Sequence, residues 1–205
     1  MIRRANKTRG MSLVELMIVV VIIGILAAIS VVGFRKYIAR ARMSEATAML
    51  AEFAAKEQLY FLDNGQYLEA HNDSVAAQYP SQSEQSGEFW PQAPSGAGFD
   101  SARTPAAVAP LPASWRALGI RPRWQQLYCT YIVNAGPPGG PVLGTVGPTL
   151  WTSAPNVPWF YAMAACNLGG VAGWPISVAA GGAKPVTVLV LTHDSPAIRT
   201  IDEDQ

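Results

Sequence analysis

From residue 16 to residue 34 the chain reads LMIVVVIIGILAAISVVGF, with one hydroxyl, Ser30, and no charge. At about 1.5 Å of rise per residue such a run is long enough to cross a hydrocarbon core of roughly 30 Å, so it predicts a transmembrane helix. The helical period does not stop there. Phe34, Ile38 and Ala41 extend it, and Ala46, Met49, Leu50, Phe53, Tyr60 and Phe61 continue it on one stripe, with Glu45, Glu52, Lys56 and Glu57 expected on other faces. The period holds to about Leu62, and Asp63-Asn64-Gly65 then supplies a stop, since Asn and Gly both take the left-handed cap conformation. One helix is therefore predicted from Met11 to about Leu62, about 75 Å long if straight.

Residues 71 to 125 show no sustained periodicity and are rich in Ser, Pro, Ala, Gly and Gln, with Tyr79-Pro80, Trp90-Pro91 and Arg121-Pro122 as punctuation. They predict a long surface connection with a few short elements, the kind of segment that carries function or motion. Aromatic and β-branched runs predict strands at Leu127 to Asn134, Trp159 to Cys166, Pro175 to Ala179, Val186 to Thr192 and Ile198 to Ile201. The Gly- and Pro-rich breaks between them are too short for helical crossovers, so the strands are expected to pair antiparallel, giving an α+β chain with the sheet behind one long helix. The expected organisation is a leader at 1–10, an apolar helix at 11–34, its amphipathic continuation at 35–65, a variable loop region at 66–126 and a sheet head at 127–205.

Length and charge narrow the function classes. A chain of 205 residues, half of them hydrophobic, holds one domain and an anchor and excludes a large multidomain enzyme. The formal charge of +1 hides a local bias, because Arg3, Arg4, Lys7 and Arg9 precede the apolar run and Arg35, Lys36, Arg40 and Arg42 follow it. Bases gathered about an anchor are not a general nucleic-acid signal, and no nucleic-acid partner is expected from them. The count is equal on the two sides, so the positive-inside rule leaves orientation open.

The chemistry is concentrated at the start of the apolar run, where Lys7-Thr8-Arg9-Gly10-Met11-Ser12-Leu13-Val14-Glu15-Leu16 places a carboxylate at the edge of hydrocarbon. A carboxylate there is costly unless something neutralises it, and a plain anchor has no use for one. The basic leader, Gly10 and the following MSLVELMIVVVIIGILAAI resemble the N-terminal processing and methylation signal of the type IV prepilin family. Asp63-Asn64-Gly65-Gln66-Tyr67 is also similar to the helix-to-loop junction of many pilins and pseudopilins. The resemblance implies cleavage between Gly10 and Met11, N-methylation of Met11, and an assembly salt bridge from Glu15 to the freed amine of Met11 on an adjacent subunit. It implies a cytoplasmic leader, an inner-membrane single pass before assembly and a surface filament after it. The implied partners are other pilin subunits, a prepilin peptidase and methyltransferase, and an inner-membrane assembly platform with its motor. A secretory signal is the alternative reading, but such signals carry their small residues after the apolar stretch, whereas Gly10 stands before it.

Met11 departs from the phenylalanine the family prefers, and Val32 stands where members commonly carry a helix-bending proline. Gly24 and Gly33 cost about 1 kcal/mol each against Ala and offer the sites of local stretching and close helix approach, with Ala27 and Ala28 beside Gly24. In an exported head, Cys129 and Cys166 are expected to form a disulfide worth about 3 to 4 kcal/mol in the chain-entropy model, two buried thiols being the alternative.

No catalytic, cofactor or metal site is expected. His193-Asp194-Ser195 has the residue types of a triad, but neighbours in sequence do not converge into a relay, and His71 and His193 lack zinc-ligand spacing. Asn167-Leu168-Gly169-Gly170-Val171 lacks the carboxylates with which related late loops hold calcium. The six tryptophans are expected mainly to pack sheet on helix, with Trp90 and Trp115 in the long loop as candidates for adhesion or subunit contact. The expected function is structural, a type IV pilus subunit serving motility, adhesion or DNA uptake. A type II secretion pseudopilin is the alternative, and a single-pass anchored enzyme or sensor a remote one.

Overall fold

The computed structural model describes residues 12–71, 90–91, 106–107, 110–142, 146–166 and 187–202. Gly10, Met11, the segment expected as a strand at Pro175 to Ala179 and the late loop at 167–171 lie outside them. The chain divides into two compact units, Met1–Arg40 and Ala41–Gln205, and helix α1 (Leu13–Asn64) contributes to both. The helix is continuous in secondary structure through Gly24 and Gly33. It stops where Asp63-Asn64-Gly65 predicts: Gly65 takes φ 70° and its N–H donates to the Phe61 carbonyl at 2.8 Å.

In the second unit the chain continues through β1 (Ala106–Ala107), α2 (Ala113–Leu118), β2 (Gln126–Leu127), β3 (Cys129–Gly136), α3 (Gly147–Leu150), β4 (Trp159–Cys166), β5 (Thr187–Thr192) and β6 (Ser195–Asp202). β3, β4, β5 and β6 form an antiparallel sheet in sequence order, and β1 pairs with β2 separately. The fold class is α+β, as the pattern predicts.

Side-chain alternation sorts the sheet into two apolar faces. Tyr131, Val133 and Ala135 of β3, Phe160, Ala162 and Ala164 of β4 and Leu189 and Leu191 of β5 join Ala46, Met49, Leu50 and Phe53 of α1 in one buried cluster. The intervening residues Ile132, Trp159, Tyr161, Met163, Ala165, Val188 and Val190 form a second cluster with Val142, Val146, Leu150 and Trp151 from the β3–β4 connection. Burial on both faces explains why these strands read as unbroken apolar runs rather than alternating ones.

The free edge of β3 is covered by two short pairings. Ala70 and Val133 exchange both backbone hydrogen bonds, at 3.0 and 2.8 Å, and Trp90 and Tyr131 do the same at 2.9 and 2.7 Å. An exposed edge would template association, and these contacts remove it along the middle of β3. They also bury Trp90, which is 5% exposed, while Trp115 is fully buried against Phe53 and Trp90. The reading of Trp90 and Trp115 as contact residues is thereby corrected, because both fill the core under the helix.

Candidate functional site

α1 begins with an N-cap hydrogen bond. Ser12 precedes the first helical residue and its Oγ accepts the Glu15 N–H at 3.2 Å, while the Ser12 carbonyl accepts from Leu16 N–H at 3.2 Å. A hydroxyl at the cap with a glutamate three residues on is the S-x-x-E signature, legible in Ser12-Leu13-Val14-Glu15, and its first half, the bond to the cap hydroxyl, is formed. Glu15 sits in the first turn, where the partial positive charge of the helix start favours a carboxylate, and its side chain is exposed.

Beyond it, Leu13–Ser30 is long and apolar enough to cross a membrane, and none of this span is buried by the rest of the chain. The one hydroxyl within it is satisfied internally, Ser30 Oγ donating to the Leu26 carbonyl at 2.7 Å, as a polar group in hydrocarbon requires. A Cβ added at Gly24 would meet no atom within 4 Å, so its open face is not used inside this chain.

The second unit corrects one expectation about α1. Glu45 and Glu57 do not lie on solvated faces: Glu45 is 9% exposed and Glu57 fully buried. Each accepts from backbone that the head leaves without a sheet partner. Glu45 Oε1 takes the N–H groups of Tyr128 and Cys129 at 2.9 and 3.3 Å and the Tyr131 hydroxyl at 3.2 Å. Glu57 Oε2 takes the Leu68 N–H at 3.0 Å, just beyond the helix end. Burial raises both carboxyl pKa values, partly offset by those donors, and pushes Glu57 to about 8.

Cys129 and Cys166 are joined by a disulfide across the β3–β4 ladder, where they are directly opposite each other. It ties the edge strand β3 to β4 at Cys129, whose N–H also donates to Glu45 of α1.

The residues of the pseudo-triad do other work. Asp194 Oδ2 accepts from Trp151 Nε1 at 3.2 Å, Ser195 Oγ accepts from Ala197 N–H at 3.4 Å, and the His193 ring lies among Trp151, Tyr67 and Phe160 at 5.5, 6.4 and 6.4 Å. Burial lowers the His193 pKa, opposed by the Asp194 charge, so the ring fills an aromatic corner as a neutral group near pH 7. Among the described residues no group of three His, Cys, Asp or Glu side chains is placed to hold a metal ion.

The prokaryotic N-terminal methylation motif matches residues 5–31. The chain is 42% identical over 67 residues to the type IV major pilin protein PilA of Myxococcus xanthus, covering 33% of this chain and 30% of that one. It is 37% identical over 73 residues to a type IV major pilin protein PilE1 of Neisseria gonorrhoeae, covering 36% and 44%. It is 58% identical over 41 residues to a fimbrial protein of Moraxella nonliquefaciens, covering 20% and 27%. The chain thus spans less than half the length of these curated relatives. No solved structure matches. What these likenesses and the capped apolar helix together show is a chain with the prokaryotic N-terminal methylation motif, similar over about a third of its length to type IV major pilins.

Proposed function

We propose that the chain is the structural subunit of a type IV pilus, trimmed after Gly10 by a prepilin peptidase, methylated on Met11 and polymerised through its apolar helix. The observation that carries this reading is an apolar span, Leu13–Ser30, left wholly unburied and opened by a capped, exposed Glu15. An unburied apolar helix requires either lipid or other helices around it. The methylation motif over the same residues, and the similarity to major pilins, support both in succession: a single pass in the inner membrane first, the interior of a filament afterwards.

In this reading cleavage frees a positive amine at Met11 within a helical turn of Glu15, and that amine pairs with the Glu15 carboxylate of an adjacent subunit. The pairing removes the cost of carrying a carboxylate into an apolar interior and sets the register between subunits. The assembly platform and motor would supply the work of extracting the helix from the bilayer. Intact mass and N-terminal sequencing of the purified subunit test the first step, the expected product beginning at N-methyl-Met11. A subunit that keeps Met1 through Gly10 in cells with the peptidase would refute it. Glu15→Ala tests the second: membrane insertion is expected to persist and filaments to disappear, and normal filaments from that variant would remove the salt bridge from the account.

A further inference from the structure

Charge on the Ala41–Gln205 unit is segregated between the two edges of its sheet. α2 is fastened by Trp115 and Leu118, both buried, and Trp115 packs on Trp90, whose backbone pairs with the edge strand β3. Around and after α2, Arg116, Arg121 and Arg123 are exposed, and among the described residues none of them enters a salt bridge. Lys56 of α1 joins them in the fold: a Cβ on Gly119, the turn residue after α2, would stand 3.7 Å from Lys56 Nζ. Lys56 makes no ion pair with Glu52, one helical turn before it, so its ammonium adds to the arginine surface.

The acids stand at the other edge. β6 ends at Asp202, opposite Val188, one residue from the row in which Thr187, Cys166 and Cys129 face one another. Glu203 and Asp204 follow in sequence, and Arg199 is the single base of that strand, so the end of β6 carries an excess of acid. Two separations keep these acids from the cations of their own head. β6 is three strand spacings from β3, about 14 Å. Glu45 meets Cys129 at the level of Asp202, and Lys56 is eleven residues farther along α1, about 16 Å. Glu203 and Asp204 extend at most about 7 Å past Asp202, short of the Gly119 turn.

An unrelated acidic protein would answer the cations and leave the acidic segment of the same head unanswered, whereas a second copy answers both. Complementary surfaces at two different places on one molecule pair head to tail, and a head-to-tail interface that does not close generates a helical filament. The formal charge of +1 lets copies meet without strong net repulsion. We propose that the Asp202-Glu203-Asp204 segment of one subunit docks on Lys56, Arg116, Arg121 and Arg123 of the next, a charge contact between heads that sets their stagger. The contact rests on the proposed filament, which brings heads of successive subunits together.

The test expresses the full chain as two copies with different tags and applies a zero-length carbodiimide, which joins a carboxylate to an amine in contact with it. On sheared filaments, peptide mapping is expected to find Lys56 joined to Asp202, Glu203 or Asp204 in dimers that carry both tags. The product should vanish in Lys56→Arg and fade at 1 M salt, where the screening length is about 3 Å. Arg116→Glu, Arg121→Glu and Arg123→Glu together should weaken the contact roughly 3- to 150-fold and lower the filament yield. Adding Asp202→Lys, Glu203→Lys and Asp204→Lys to the same chain should restore the yield. Cross-links confined to single chains, none to residues 202–204, or filaments untouched by the arginine substitutions would each overturn the proposal, as would a doubly reversed chain that regains nothing. If cells make no filaments at all, the pilus reading fails, and the same cross-linking of the concentrated full chain in detergent decides the contact by itself.

Discussion

Glu57→Gln is expected to remove Glu57's share of the pH dependence of the head's stability, so that wild type and variant exchange rank between pH 5 and pH 9. The Glu57 carboxyl is fully buried, accepts one hydrogen bond from Leu68 N–H at 3.0 Å, and has its pKa raised by burial from 4.5 to about 8. Because the folded value lies above the unfolded one, the folded head holds a proton that the unfolded chain releases. Stability from this group is therefore complete below pH 4.5, declines through the interval up to about pH 8, and is lost above it. The slope in that interval is about 1.4 kcal/mol per pH unit, so the whole window is worth at most about 5 kcal/mol. Gln preserves the shape and the acceptor for Leu68 N–H and cannot ionise. It buries two amide donors in exchange, at about 1 to 3 kcal/mol. The wild type should then be the more stable protein at pH 5 and the variant the more stable one at pH 9. Urea unfolding of the full chain in detergent, followed by tryptophan fluorescence since Trp115 and Trp159 are fully buried, measures both at each pH. Glu45 has its pKa shifted in the same direction and is common to both proteins, so the difference between the two curves isolates Glu57. Parallel curves from pH 5 to pH 9 would refute the reasoning.

Three further perturbations probe separate parts of the head and the helix start. Glu45→Ala leaves the Tyr128 and Cys129 N–H groups and the Tyr131 hydroxyl without their acceptor and should cost about 2 to 4 kcal/mol in a urea midpoint measurement. Replacing both Cys129 and Cys166 by Ala should cost about 3 to 4 kcal/mol, and added reductant should then have no effect on the midpoint of the double variant. Gly136→Ala would drive a Cβ into the Trp159 ring, so it should cost about 1 to 3 kcal/mol and shift the near-ultraviolet circular dichroism of the tryptophans.

Much of this architecture is written in local pattern. The strand expected at Trp159 to Cys166 has those bounds in the structure, because both of its faces are apolar and no competing turn residue interrupts it. The preceding strand is displaced from Leu127–Asn134 to Cys129–Gly136 for two physical reasons. Leu127 pairs with Ala106 in the small β1–β2 sheet instead, and Gly136, which propensity would exclude, extends the strand because its missing Cβ admits the Trp159 ring opposite. The last strand starts at Ser195, earlier than Ile198, with Pro196 inside it. A proline is tolerated there because β6 is the edge of the sheet and its register against β5 is irregular. The candidate site is legible in another way. Glu15 and its apolar run stand out in the sequence, as does the S-x-x-E pattern at the helix start, whereas the burial of Glu45 and Glu57 depends on which backbone groups the folded head brings to them.

Three of the four glutamates of α1, Glu15, Glu45 and Glu57, explain where periodicity misleads. Glu45, Met49, Phe53 and Glu57 recur every four residues, so they lie on one side of the helix, and an apolar-stripe reading discards the two ends because carboxylates usually seek water. What decides their fate is the supply of donors. The start of β3 and the segment after Gly65 leave backbone N–H groups that no strand answers, and an unanswered buried N–H costs as much as a lost hydrogen bond. A carboxylate that meets such donors is drawn inside, with its pKa raised because the donors offset only part of the desolvation. Glu15 is the opposite case. Its backbone N–H is already capped by Ser12, its side chain is exposed, and among the described residues no donor reaches its carboxylate. A carboxylate that borders an unburied apolar span and meets no donor among the described residues needs one if that span is to leave water. That is the role the proposed filament gives to the amine of a neighbouring Met11.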